Sequence, residues 1–317
     1  MNRRFFLWMG ASALIASACT KATQSRDPSL ASASNDVKRV KHAFGETEVP
    51  TSPTRIIVMG YATVEAVVAH GVQPIGVPTG VVDGHPHLSL DGNAVLDIGA
   101  PGKPNFEKMT VLKPDLILTS KNRVRDAYPL LAQVAPTVVL DIENNAEWKE
   151  LTRLCGEALG KPTKTEKLAA DYEAKLRKVR NELSQNSQQL EVSIIFLFPG
   201  RVGAMGTETF AGSILADVGI ARPPSQAQAQ GPQNLSLESL DLLDGDVIFI
   251  VTLQGGTELA KESRAEINRM QAHPLWSQLR AVQTNRVYEV GSHWGGGSYI
   301  AANLILDDLL KFGVGSL

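Results

Sequence analysis

The chain has 317 residues, 43% of them hydrophobic, and 31 Lys and Arg against 33 Asp and Glu give a formal net charge of −2. That length suits two domains of ordinary size, each with its own core. The balanced charge argues against a nucleic-acid binder, which usually carries a basic excess, and no run of 18 or more apolar residues follows the N-terminus, so no spanning helix is expected in the body.

The chain opens "MNRRFFLWMGASALIASACT". Arg3 and Arg4 form a charged n-region, and Phe5 to Ala18 an apolar stretch too short to span a bilayer, so residues 1–19 read as an export signal. The order Arg-Arg-Phe-Phe-Leu resembles the twin-arginine type, and "ASAC" resembles a lipobox with Cys19 as the lipidated residue, although Ala16 stands where Leu is commoner. Simple cleavage near Ala18 is the alternative. Residues 20–36 are Ser/Ala-rich without apolar periodicity and predict a flexible tether. The other cysteine, Cys155, lies on the apolar side of "LTRLCGEAL", so it reads as a buried small hydrophobe and no structural disulfide is expected.

Residues 37–145 read as an N-terminal α/β lobe. "RIIVMG" is a strand, and "YATVEAVVAHG" a helix with Val64, Val67 and Val68 on one side and Gly71 as its stop. "VQPIGV" is a second strand. "GHPH" follows, with His85 and His87 two apart in a Gly/Pro-rich loop. That spacing lacks defined metal-ligand geometry, so it reads as a solvent loop at a cleft rim and no metal site is expected. "NFEKMTVLKPDLIL" is a short helix, a turn and a buried strand, and "DAYPLLAQVA" and "TVVLD" add a helix and a strand. Such alternation predicts a doubly wound parallel sheet.

Residues 146–186 change pattern. Trp148, Leu151, Cys155 and Ala158 share one helical face, as do Leu168, Tyr172, Leu176, Val179 and Leu183, predicting long amphipathic connecting helices. Residues 187–317 restart the α/β pattern with strand "VSIIFLF", loop "PGRVGAMG", helix "ETFAGSILADVG", strand "DVIFIV", helix "PLWSQL", strand "RVYEV" and helix "GSYIAANLILDDLLKFG". Glu107 precedes Asp115 by eight residues in "NFEKMTVLKPDLIL", and Glu238 precedes Asp246 by eight in "LSLESLDLLDGDVIFI". The chain is therefore a tandem, diverged repeat of an α/β half, and two such lobes on a stiff helical joint leave a cleft between them.

Ligands of open α/β sheets lie beyond the carboxyl ends of the strands. That rule selects Tyr61, the run Lys121 to Arg123, Arg201, His293 and Trp294. Catalytic signatures are weak. Gly200, Gly203 and Gly206 fit neither G-x-G-x-x-G nor a phosphate loop ending in G-K-[ST], and no G-x-S-x-G appears. An α/β enzyme is the distant alternative. Gly295 to Gly297 read as a source of backbone freedom before the last helix.

"PTRIIVMGYATVEAVVAHGVQPIGV", "NFEKMTVLKPDLILTSKNRVRDAYPLLAQVAPTVVLD", "HPLWSQLRAVQTNRVYEV" and "IAANLILDDLLK", in this order and spacing, resemble the iron-siderophore substrate-binding lipoproteins of bacterial ABC importers, in their ferric-citrate and ferric-hydroxamate branch. The resemblance covers residues 40 to 315. It implies a class III periplasmic-binding-protein-like fold, with two doubly wound lobes on a long rigid connecting helix, and a monomer held at a membrane by its N-terminal lipid in the periplasm or cell envelope. It implies capture of a ferric siderophore, with no cofactor, since siderophores bring their iron already chelated. Guanidinium groups at Arg123 and Arg201 suit carboxylate and hydroxamate oxygens, and the rings of Tyr61 and Trp294 suit apolar parts of the complex. In the family, a Glu in each lobe meets an arginine of the dimeric permease, whose ATPase subunits supply the energy. Glu107 and Glu238 match that role, and helix N-capping by Asn105 and Ser236 with a dipole gain of about 0.3–1 kcal/mol is compatible with it. Heme or a corrinoid on the same fold stays open as an alternative ligand.

Overall fold

A computed structural model describes residues 36–314, apart from 101, 125, 184–189, 199 and 253–257, and at 122, 123, 198, 258 and 259 it describes the backbone alone. The export signal, Cys19 and the tether up to residue 35 lie outside the described residues.

The N-terminal lobe begins with a hairpin that the sequence pattern does not announce. β1 (Val37–His42) and β2 (Gly45–Pro50) pair antiparallel, Val40 opposite Thr47. Only Val40 and Val49 are buried, and the other positions are mostly charged or polar, so the alternation is too sparse to read. The chain then runs through β3 (Ile56–Val58), α1 (Tyr61–Ala69), β4 (Gly76–Val77), α2 (Val81–Gly84), a 3-10 turn at Pro86–Leu88 and β5 (Leu96–Asp97). A small hairpin, β6 (Gly99–Ala100) with β7 (Lys103–Pro104), leads to α3 (Phe106–Val111), β8 (Leu116–Ser120), α4 (Lys121–Val124), α5 (Tyr128–Val134) and β9 (Thr137–Leu140). Five strands form one parallel sheet in the order β5-β4-β3-β8-β9. Both faces are covered. Ile56, Val58, Leu116 and Leu118 pack toward α1, while Ile57, Ile117 and Val139 pack toward Met109 of α3 and Leu131 of α5. Burial on both faces explains why these strands read as unbroken apolar runs.

The expected connecting helices are α6 (Trp148–Ala158) and α7 (Pro162–Leu183), each packed on a different lobe. Leu151, Cys155 and Ala158 of α6 enter the N-terminal core, whereas Tyr172, Leu176, Val179 and Leu183 of α7 enter the C-terminal one. Trp148 crosses over. Its ring meets Tyr172, Phe210 and Tyr299 edge-on at centroid distances of 5.3, 5.5 and 4.9 Å, and its Nε1 donates to Ser213 Oγ at 3.0 Å. Cys155 is buried, and burial pushes its thiol well above the ordinary range, so it is chemically quiet.

The C-terminal lobe runs β10 (Val192–Phe198), β11 (Arg201–Ala204), α8 (Phe210–Val218), α9 (Pro224–Gln228), β12 (Gln233–Leu235), a 3-10 helix at Leu237–Leu243 and β13 (Val247–Val251). It continues with α10 (Glu258–Gln271), a 3-10 turn at Trp276–Gln278, α11 (Arg280–Gln283), β14 (Val287–Val290), a 3-10 turn at Ser292–Gly295 and α12 (Tyr299–Lys311). The sheet order is β12-β11-β10-β13-β14. β10, β13 and β14 are parallel, but β11 runs antiparallel to both β10 and β12. This corrects the reading of "PGRVGAMG" as a loop: its Arg201–Ala204 stretch is a strand.

The repeat is physical as well as textual. Asp115 N donates to Arg55 O at 2.9 Å while Asp115 Oδ1 accepts from Arg55 N at 2.9 Å. In the other lobe Asp246 N donates to Glu191 O at 2.8 Å, and Asp246 Oδ2 accepts from Glu191 N at 2.8 Å. Each Asp thus ties the start of its own strand to the start of the neighbouring central strand.

Candidate ligand-binding cleft

In the first sheet the chain order reverses between β3 and β8, and in the second between β10 and β13. The crevice beyond the carboxyl ends at such a reversal is where ligands of open sheets sit. Tyr61 follows β3 there. Gly60 has φ 105°, a backbone state that strongly favours glycine, and this turn sets Tyr61 at the first position of α1. Tyr61 is 38% exposed, and its hydroxyl donates to Thr79 O at 3.2 Å, just past β4. Arg123 lies in α4, which starts where β8 ends, and its side chain is outside the described residues. Lys121 beside it is committed to Asp141 and Glu143, at 3.1 and 2.6 Å. Arg201 opens β11, opposite Phe198 at the carboxyl end of β10, and is exposed.

His293 follows β14. Its Nε2 lies 2.8 Å from Asp308 Oδ2, and the Trp294 Nε1 donates to the same oxygen at 2.9 Å. Burial alone would raise the Asp308 carboxyl. The His293 and Trp294 contacts outweigh it and hold the group below the ordinary range. Trp294 itself is only 2% exposed, with its ring on Phe249 at 4.4 Å. The structure therefore places Trp294 in the C-terminal core, not as the aromatic cover expected from sequence, and its polar edge orients Asp308.

A residue not anticipated as functional holds the centre of the site. Glu65, one turn into α1, has 0% exposure. Its Oε1 lies 2.8 Å from His87 Nε2 and 3.7 Å from His85 Nδ1. Its Oε2 accepts from Gly297 N at 2.7 Å and from Ser298 Oγ at 3.4 Å, both in the other lobe. Burial pushes this carboxyl up, but the approach of His85 and His87 and the Gly297 amide outweigh it and the group sits below the ordinary range. A carboxylate among the apolar residues of "YATVEAVVAHG" was the available signal. The GHPH reading is corrected as well. Leu88 is buried, His85 N donates to Val81 O at 3.1 Å and Leu88 N to His85 O at 3.0 Å, so the loop is pinned and both imidazoles turn inward. The rings form a row across the lobe seam: Tyr61 on His85 at 5.4 Å, His85 to His87 at 5.7 Å, and His87 to His293 at 6.0 Å.

The glycine run at this seam works by absence of bulk. Gly295, Gly296 and Gly297 do not have positive φ. A Cβ on Gly297 would fall 2.3 Å from Ala62 Cβ, one on Gly296 2.6 Å from Glu65 Oε2, and one on Gly295 2.8 Å from Phe196. Backbone of one lobe rests on the start of α1 in the other. A small cavity at the same seam is lined by Gly60, Tyr61, Ser120, Asn145 and Gly295.

The periplasmic binding protein family matches residues 56–293, three-quarters of the chain. The chain belongs to that family. As a periplasmic binding protein it is 30% identical over 309 residues to the Bacillus subtilis protein named probable siderophore-binding lipoprotein YfiY, covering 93% of each chain. It is 26% identical over 274 residues to the Fe(3+) dicitrate-binding periplasmic protein FecB of Escherichia coli, covering 80% of this chain and 85% of that one. Among solved structures it is similar to Staphylococcus aureus SirA complexed with staphyloferrin B, with a TM-score of 0.75, 28% identity, and coverage of 87% and 98%.

In this periplasmic binding protein the two repeated glutamates occupy corresponding sites. Asn105 N donates to Ile98 O at 2.7 Å, just past β5, so α3 starts at the carboxyl end of its sheet. Leu235, three residues before Glu238, lies level with Val202, whose own partner in β10 is Leu197. Both glutamates are exposed. The Asn105 side chain caps α3, accepting from Lys108 N at 2.9 Å, whereas Ser236 makes no side-chain cap. The Ser236 hydroxyl and the Glu238 backbone amide instead hold the Glu238 carboxyl below its ordinary range.

Proposed function

We propose that this protein is the extracytoplasmic substrate-binding component of an ABC importer and captures a ferric siderophore in the cleft between its lobes. One observation carries the reading. Tyr61, Arg123 and His293 follow the carboxyl ends of strands in the two sheets, and Arg201 opens the strand just beyond one, in a chain whose relatives are named for siderophores and ferric citrate. Guanidinium and imidazole groups suit the anionic oxygens of such chelates, and the iron arrives already ligated, so no resident cofactor belongs to the reading. Heme and corrinoids are the rival ligands, and the same assay separates them.

Delivery would use the repeated helices. Four residues after Glu107 stands Val111, 75% exposed, and four after Glu238 stands Leu242, 42% exposed. Each lobe thus offers a carboxylate with an apolar neighbour, a pair suited to a dimeric permease. Exposed ion pairs contribute little affinity and much orientation. Cys19 would carry the lipid that keeps the protein at the membrane, and the packed α6–α7 joint favours small lobe rotation on binding.

The test is a tryptophan-fluorescence titration with ferric citrate, ferric hydroxamates, ferric catecholates, heme and a corrinoid, each with its metal-free control. Saturable quenching at sub-micromolar concentration by one ferric chelate is expected. A response to heme or a corrinoid alone, or to none of the panel, overturns the reading.

A further inference from the structure

We propose that Glu65, His85 and His87 form a binding site for one divalent metal ion of borderline softness, Zn2+ above Mg2+ or Ca2+, at the inner wall of the cleft. The inference does not depend on the ligand assigned above.

The donor set comes first. Two imidazoles and a carboxylate suit Zn2+, while Mg2+ and Ca2+ prefer all-oxygen shells. The three ligand atoms lie within 4.8 Å of one another. Around a tetrahedral ion with bonds of about 2.0–2.2 Å, neighbouring donor atoms are roughly 3.3–3.5 Å apart. The two approaches to Glu65 Oε1, 2.8 Å from His87 Nε2 and 3.7 Å from His85 Nδ1, bracket that spacing. Small side-chain shifts therefore admit the ion.

An unspent polar atom comes second. His85 Nδ1 is buried and makes no hydrogen bond, although it points at the most buried carboxylate of the cleft. A buried nitrogen without a partner is an uncommon cost, and a metal ion on its lone pair removes it. The surroundings also hold the ligands in place, as supporting contacts do in metal sites. Gly297 N and Ser298 Oγ fix the far oxygen of Glu65, Tyr61 stacks on His85, and His293 meets His87 edge-on. The two imidazoles keep 14% and 10% side-chain exposure, which leaves a fourth position open to water or to an oxygen of a cleft ligand. With neutral imidazoles and one carboxylate, a bound Zn2+ leaves one net positive charge facing the cleft, a further attraction for an anionic guest.

The experiment uses the untagged full-length protein in detergent, treated with EDTA, dialysed, and equilibrated with ZnCl2 or MgCl2. One Zn2+ per chain is expected at low-micromolar or lower free concentration, without comparable Mg2+ uptake. X-ray absorption at the zinc edge should report two imidazole nitrogens at about 2.0–2.1 Å. His85→Ala and His87→Ala should each weaken binding at least tenfold, with folding checked by circular dichroism, while His273→Ala leaves it unchanged. Absence of saturable zinc binding, wild-type zinc affinity in either histidine variant, or an absorption spectrum without imidazoles overturns the site. Ferric-chelate titrations of the same preparation report separately: chelate binding without zinc binding removes this site and leaves the transport reading standing, and the reverse result does the opposite.

Discussion

The Glu65 carboxylate accepts the backbone proton of Gly297 at 2.7 Å across 232 residues of chain, and so joins the first helix of one lobe to the turn before the last helix of the other. Its two oxygens both accept, one from each lobe. Glu65→Gln replaces one acceptor by a donor, leaving either Gly297 N or His87 facing an N–H group. Loss of a charge-assisted buried hydrogen bond costs about 1.5–3 kcal/mol. Urea unfolding of this variant is expected to show an unfolding free energy lower by that amount, read as a lower midpoint at unchanged slope, and an unchanged midpoint would remove the latch role of Glu65.

Gly297→Ala tests the seam by bulk rather than charge. The added methyl meets Ala62 at 2.3 Å, and the nearest backbone atom of Ala62 is 2.7 Å away, so a flexible tip cannot yield. Overpacking of this kind costs about 1–3 kcal/mol. The expected result is a lower melting temperature together with weaker ligand capture, since the lobes must part to admit the methyl group. Wild-type melting and capture would contradict the close-contact account.

His70 supplies a pH dependence. It is buried at the end of α1, with Nδ1 2.7 Å from Ala66 O and Nε2 2.8 Å from Thr165 Oγ1 of α7. Burial lowers its pKa below the ordinary 6.5, and Lys161 and Lys164 push the same way. Between the folded and unfolded pKa values the unfolded chain binds the extra proton, so stability is complete above about pH 6.5 and declines as pH falls below it. Denaturation midpoints at pH 7.5 and 5.5 should differ in that sense, and His70→Gln should shrink the difference. A variant with the wild-type slope would acquit His70.

Arg201→Ala and Arg123→Ala should each weaken capture of an anionic ferric chelate about tenfold or more, in line with about 1.5–3 kcal/mol for a hydrogen bond to a charged group. Tryptophan quenching reads this directly. Wild-type affinity in both variants would move the anion-binding role away from these two arginines.

The double variant Glu107→Ala with Glu238→Ala should keep chelate affinity and lose uptake of radiolabelled iron in cells. Val111→Asp with Leu242→Asp should act the same way if the apolar neighbours belong to the docking face. Normal uptake by both doubles would remove docking from these helices.

Much of the architecture was legible because buried strands and helix stops leave strong local marks. The "RIIV", "LILTS" and "VIFIV" runs, the Gly71 and Gly219 stops and the Glu–Asp spacing each predict what the fold contains. The positions of Tyr61 and His293 just past the ends of their strands were reachable from the strand-end rule alone. The β1–β2 hairpin was not, because charged side chains dominate its outer face, and α10 was not, because its apolar residues are thinly spread. At the site, sequence order hides contacts over long separations. Nothing near Glu65 in the chain announces Gly297, and nothing in "GHPH" says that its rings turn inward. The glycine run misleads for a related reason, since freedom of φ and absence of a side chain look the same in a sequence.

The contact of Gly297 with Ala62 also bears on how such a protein can change its diet. A hinge spaced by long side chains could be shimmed wider or narrower by ordinary substitutions. Here, where Gly297 meets Ala62, main chain rests against main chain, and that point of the seam has no such shim to exchange. The aperture is then an inherited constant, and a descendant facing a larger or smaller guest must recut the walls of its mouth instead of reopening it.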